Sequence, residues 1–133
     1  MFRTAEGWIS QYREKGAFLH HNGNPLQPHA LLSSGKHSNG FFNSRIIIEL
    51  EDETLLREAA SDILDLYLEA GGNLIVTDLV VGPQTGATKL AEFVSDEISK
   101  RRGRKCSWAS PKKVGEKENK AMVFDELGGK PFP

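Results

Sequence analysis

Three stretches of the 133-residue chain carry residue types suited to a flat, charged ligand. Ser33-Ser34-Gly35-Lys36-His37-Ser38 gathers hydroxyls, a flexible glycine, a cation and an imidazole, and adjacent rings Phe41 and Phe42 follow. On a strand, neighbouring side chains point to opposite faces, so one ring can pack while the other stacks on a planar ligand. The plain alternative is that both rings are core. The second stretch is Gly82-Pro83-Gln84-Thr85-Gly86-Ala87-Thr88-Lys89, directly after an apolar, β-branched run over residues 74–81. Glycine and proline stop a strand there, and a helix follows. Such a turn aims unpaired N–H groups and the positive end of the helix dipole at an anion. The amides from Thr85 to Thr88 and the Thr85 hydroxyl are the expected donors. The spacing is not that of a Walker A loop, because one residue is missing between the glycines and the lysine follows the threonine. It lacks the G-x-G start of a dinucleotide fingerprint as well. A bare strand-to-helix turn is the competing reading.

The third stretch is basic. Residues 100–120 hold Lys100, Arg101, Arg102, Arg104, Lys105, Lys112, Lys113, Lys117 and Lys120 against Glu116 and Glu118. Residues 49–69 are the reverse, with acids throughout and Arg57 as the single base. A solvated helix face explains the acidic run. The formal net charge is −1, which argues against the whole surface being a nucleic-acid footprint. A nucleic-acid contact confined to the basic run has only Trp108 to stack on bases. His20, His21 and His29 match no zinc spacing and no cysteine joins them, so a surface loop accounts for them and no metal site is assigned. The one cysteine, Cys106, excludes an internal disulfide and fits a reducing cytoplasm. No stretch has the apolar length to cross a bilayer, and charged residues interrupt the amino terminus where a signal-peptide core would lie.

These groups need elements to position them. Thr4 caps an expected first helix with Phe2, Ala5, Trp8, Ile9 and Tyr12 as its apolar stripe, ended by Gly16. Residues 17–19 read as a short strand. Residues 29–34 and 41–48 read as strands of a hairpin joined by a turn over residues 35–40, with Asn39-Gly40 as a strong turn signal. Leu55, Leu56, Ala59, Ala60, Ile63, Leu64, Tyr67 and Leu68 form the clearest helical stripe, closed by Gly71-Gly72. The run over 74–81 reads as a strand buried on both faces, and Ala87, Leu90, Ala91, Val94 and Ile98 mark a second helix. A strand near 105–109, a charged loop over 110–120 and a strand over 121–124 complete the order, and the tail 128–133 reads as irregular. Alternating strands and helices indicate an α/β fold with a mainly parallel sheet flanked by helices, beside an amino-terminal helix and β-hairpin. The expected division is 1–50 for the helix and hairpin and 51–133 for the α/β part. Parallel sheets bind ligands at the carboxyl ends of their strands, where the Gly82 turn falls.

Two segments together resemble a known family. Leu32-Ser33-Ser34-Gly35-Lys36-His37-Ser38-Asn39-Gly40-Phe41-Phe42-Asn43 is similar to the hood hairpin of orotate phosphoribosyltransferases. Val80-Val81-Gly82-Pro83-Gln84-Thr85-Gly86-Ala87-Thr88-Lys89-Leu90-Ala91 is similar to their pyrophosphate-contacting loop and following helix. The order of elements between Thr4 and Phe124 fits too. The resemblance implies a type I phosphoribosyltransferase fold and magnesium-dependent exchange of the pyrophosphate of phosphoribosyl pyrophosphate for a nitrogen base. It places Phe41 and Phe42 at the base, Lys36 and His37 beside the base or the 5′ end of the sugar, and Thr85, Gly86 and Ala87 on pyrophosphate. Lys112, Lys113 and Lys117 would sit on a mobile catalytic loop and neutralise the departing diphosphate. His37 and Gly86 stand where orotate enzymes commonly carry lysine, so orotate and related pyrimidines both remain open.

The family's ribose-phosphate motif, a strand ending in paired acids before a hydroxyl-rich turn, has no counterpart. Met122-Val123-Phe124-Asp125-Glu126-Leu127-Gly128-Gly129 lacks the serine or threonine. The expectation is therefore an amino-terminal portion of a cytoplasmic, homodimeric enzyme of pyrimidine biosynthesis, inactive by itself. The rival is a non-catalytic module of the same fold that senses a base or nucleotide.

Overall fold

The structure, a computed structural model, describes residues 3–32, 34–84, 86–114, 121–124 and 130–131. The backbone groups into two units, Arg3–Glu51 forming one and Asp52–Pro133 most of the other.

In the smaller unit, helix α1 (Ala5–Glu14) starts at Thr4, whose hydroxyl accepts the Gly7 N–H at 3.1 Å. Gly16, at φ 72°, takes the left-handed turn that lets the chain leave the helix. Strand β1 (Phe18–His20) follows, then β2 (Ala30–Leu31), β3 (His37–Ser38) and β4 (Gly40–Phe42). β2 pairs antiparallel with β3, and β1 pairs antiparallel with β4, setting Phe18 opposite Phe42 and Leu19 opposite Phe41. The hairpin turn is at Gly35, φ 84°, and not at Asn39-Gly40. Asn39 instead extends the β1–β4 ladder, its carbonyl accepting the His21 N–H at 2.6 Å.

The strand expected over 41–48 ends at Phe42, and Ser44–Ile48 forms helix α2. β1 offers no further partner: the Asn43 N–H bonds to the Ala17 carbonyl and closes the ladder. Helical turns then bury Ile47, and Arg45 pairs with Glu49 at 2.7 Å one turn on. Packing overrides the strand preference of three consecutive isoleucines (Ile46, Ile47 and Ile48).

In the larger unit, helix α3 (Thr54–Glu69) buries Leu55, Leu56, Ala60 and Leu64, and helix α4 (Thr88–Arg102) buries Ala91, Phe93, Val94, Ser95 and Ile98. The two helices pack on each other, and α4 connects β5 (Leu79–Val81) to its parallel neighbour β6 (Ser107–Ala109). This is a βαβ unit. The rest of the run over 74–81 is not strand: residues Leu74–Val76 make a 3-10 turn, begun by the Asn73 side chain accepting the Ile75 N–H. Nor is β5 buried on both faces, since Leu79 and Val81 are 39% and 41% exposed. Among the described residues its sheet has two strands, so one edge of β5 has no neighbour.

β7 (Lys112–Val114), β8 (Ala121–Phe124) and β9 (Lys130–Pro131) form an antiparallel three-stranded sheet. Two expectations change here. Lys112–Val114 is strand rather than loop, and Lys130–Pro131 gives the tail a regular segment. The architecture is thus α/β with several small sheets, of which β5–β6 is the parallel one among the described residues, rather than one mainly parallel sheet.

Candidate functional site

The turn from β5 to α4 is built on Gly82. A Cβ at this buried position would collide with the Ala87 carbonyl and lie 2.7 Å from the Ala91 methyl, so the strand can run against its own helix only with glycine. The Pro83 carbonyl accepts the Ala87 N–H at 3.1 Å, and Ala87 precedes the first residue of α4. The strand beside it supplies the rest. Val81 lies opposite Ala109, so Gly82 and Ser110 leave the carboxyl ends of adjacent parallel strands together. The Gln84 N–H donates to the Pro111 carbonyl at 2.9 Å, and its side-chain amide donates to the Ser110 carbonyl at 3.1 Å. Ser110 Oγ donates to the Gly82 carbonyl at 2.7 Å and lies 2.6 Å from Thr88 Oγ1.

The expected donors differ in what they bond. The Ala87 amide is bonded inside the turn, to the Pro83 carbonyl. Among the described residues the amides of Gly86 and Thr88 have no partner, and Gly86 is exposed, with open space on its Cβ side. These two face the requirement of an anion at a helix start. Thr85 lies outside the described residues.

The neighbouring charges are tied up by the helix pair. Lys89 bonds Glu53 at 2.8 Å, and its ammonium group holds the Glu53 carboxyl below the usual carboxylate range. Arg57 stacks 4.0 Å over the Phe93 ring and lies 3.8 Å from Glu53 and 3.9 Å from Asp96. Local attraction for an anion therefore comes from backbone dipoles more than from Lys89. A hollow of about 200 Å³ beside β5 is lined by Ile63, Val80, Val81, Leu90 and Val94. Its carbon walls offer an anion nothing.

Lys112 and Lys113 lie on β7, Lys113 opposite Met122, and Lys112 is exposed; Lys117 falls outside the described residues. In the smaller unit Lys36 and His37 are exposed on the β2–β3 hairpin, and His37 sits opposite Leu31. The two phenylalanines part company. Phe42 stacks on Phe18 at 4.6 Å and takes Tyr12 edge-on at 5.3 Å. Phe41 has no ring partner among the described residues and is 42% exposed; Phe42, at 48%, is also open to solvent but is engaged with two neighbouring rings.

Sequence reasoning missed Gln84, Thr88 and Ser110 as the groups that fix the turn. The available signal was a hydroxyl directly after the carboxyl end of the strand at 107–109. It also missed Arg102, whose side chain is 5% exposed and whose guanidinium donates to the carbonyls of Leu74, Thr77, Arg104 and Lys105.

No family model and no curated protein matches the chain. Among solved structures it is similar to a crystal structure of an orotate phosphoribosyltransferase from Francisella tularensis, with a TM-score of 0.57 at 15% sequence identity. The likeness covers 92% of this chain and 52% of that one, so the chain spans about half the length of the solved structure it matches. What is shared is the fold: an α/β chain whose backbone resembles that of the solved structure.

Proposed function

We propose that the chain belongs to a phosphoribosyltransferase that exchanges the pyrophosphate of phosphoribosyl pyrophosphate for a nitrogen base, orotate or a related pyrimidine. The observation that carries this reading is the Gly82 turn at the carboxyl end of a parallel strand, where the amides of Gly86 and Thr88 have no partner among the described residues, in a fold similar to that of such an enzyme. Gly86 and Thr88, with Thr85, hold the diphosphate, and Ala87 shapes the turn. Lys112, Lys113 and Lys117 neutralise charge as the diphosphate departs, a contribution concentrated in the transition state. Phe41 stacks on the base, and Lys36 and His37 contact its polar edge or the sugar phosphate. Mg²⁺ is proposed to arrive on the diphosphate as part of the substrate; among the described residues no cluster of histidine, cysteine or acids forms a metal site. The proposal places the enzyme in the cytoplasm as a homodimer, with no nucleic-acid partner; among the described residues no helix is long and apolar enough to cross a membrane.

A non-catalytic module of the same fold that senses a base or nucleotide is the second reading, since the turn and the exposed ring of Phe41 serve binding as well as transfer. One screen decides between them. The protein is given phosphoribosyl pyrophosphate and Mg²⁺ with orotate, uracil or purines, and released pyrophosphate is measured. Release with one base supports transfer. No release, with binding of pyrophosphate by calorimetry, supports the module, and absence of both rejects the two readings together.

A further inference from the structure

Ser110 sits beneath the turn, 5% exposed. A serine hydroxyl has one proton, and here it goes to the Gly82 carbonyl at 2.7 Å. The 2.6 Å contact with Thr88 therefore runs the other way, Thr88 donating to Ser110. The result is a directed chain, Thr88 hydroxyl to Ser110 hydroxyl to Gly82 carbonyl, that leaves Thr88 Oγ1 no proton for a phosphate oxygen. Gln84 adds two more ties to the same place, through the Ser110 and Pro111 carbonyls. The start, middle and end of the turn are all fastened to Ser110-Pro111, and those two residues join β6 to the strand bearing Lys112 and Lys113.

We propose that Ser110 is a positioning residue. It fixes the turn so that the Gly86 and Thr88 amides open to a diphosphate, and it ties the conformation of the turn to the base of the lysine-bearing β7 arm. This rests on the reading of the turn as a diphosphate site, yet its structural half stands without that reading. In Ser110→Ala the Gly82 carbonyl loses its buried donor and Thr88 its acceptor, while the helix pair α3–α4 keeps its contacts.

The test is amide hydrogen exchange by NMR on the whole chain, with titration of inorganic pyrophosphate and Mg²⁺. Ser110→Ala is expected to speed exchange at Gln84 and Ala87 by about tenfold and weaken pyrophosphate by about as much, with α4 amides beyond Ala91 still protected. Thr88→Ser, which keeps the donor, should behave as the parent, whereas Thr88→Val should show part of the Ser110→Ala effect. If Ser110→Ala does not fold, the Thr88 pair decides. Unchanged exchange at Gln84 and Ala87 in Ser110→Ala and Thr88→Val overturns the positioning role. Parent-like pyrophosphate affinity in those variants overturns it too, while leaving the diphosphate site intact. Faster exchange in a protein that never binds pyrophosphate supports the positioning role and removes the diphosphate reading instead.

Discussion

Each of the two units is stabilised internally by different means. In the larger one, Leu56, Ala60 and Leu64 of α3 and Phe93, Val94 and Ile98 of α4 are nearly dry, with Ile98 1% exposed. In the smaller one, Ala17 and Ile47 are the buried hydrophobics among the described residues, and α1 buries none. Short ladders, a row of stacked rings and local side-chain bonds do the holding there. The loop over residues 21–27 shows the pattern. Asn22 and Asn24 each cap an amide two residues on, and His21 accepts the Gly23 N–H while its other ring nitrogen meets the Gln27 carbonyl. Bonds of this kind exchange readily with water and add little net stability. A candidate anion turn braced by a dry helix pair is rigid, and a candidate base-stacking strand on a thinly buried unit opens at low cost.

The contrast can be broken by substitution, beginning with the largest effect. Ile98→Ala should cost about 3–4 kcal/mol in denaturant unfolding, as expected for a buried aliphatic whose cavity cannot collapse. A loss below about 1 kcal/mol would show that the helix interface is loose, in the manner of the smaller unit. Gly82→Ala should cost about 1–3 kcal/mol, because the new methyl meets backbone rather than a flexible side chain, and it should abolish pyrophosphate binding. Full binding with normal stability would show that the strand does not press on its helix.

Phe42→Ala should cost about 1 kcal/mol through its ring contacts with Phe18 and Tyr12. Phe41→Ala should leave stability unchanged and weaken base affinity instead, measured by calorimetry. A reversal of those two effects would exchange the roles of the rings. The smallest effect concerns pH. Glu53 titrates below its unfolded value because of Lys89, so their bond contributes above the ordinary carboxylate range and is lost as pH falls through the depressed value. Melting curves of the parent and Glu53→Gln should therefore converge in acid and differ slightly near neutrality. A gap that persists in acid would assign the difference to packing.

The same division governs what the sequence discloses. The α3 and α4 stripes are legible because a 3.6-residue period in apolar side chains has one stable outcome when a partner helix is present. The runs 74–81 and 41–48 are misread in detail because apolar β-branched stretches announce burial, not conformation. Their conformation depends on which neighbour is there to pair, and β1 and β6 are each three residues long. At the site, Gly82-Pro83 marks the turn from local chemistry alone. For Ser110 the sequence offers only its place just after a strand, since its bonds to Gly82 and Thr88 span 28 and 22 residues and follow no period.

The crowded guanidiniums after α4 change how the basic stretch should be understood. Arg101 is held by Asp65, Glu97 and Ser61, Arg102 is enclosed by four carbonyl oxygens, and Arg104 reaches the Ile75 carbonyl and lies 3.8 Å from Asp78. A count of positive residues would treat all three as a comb for polyanions. In the folded chain Arg102 and Arg104 act as rivets that fasten the segment entering β5 to the far end of its own crossover helix, and Arg101 fastens that helix to α3. Added salt should therefore leave this corner intact, and lysine could not replace Arg102, because a single ammonium group cannot span four carbonyls at once.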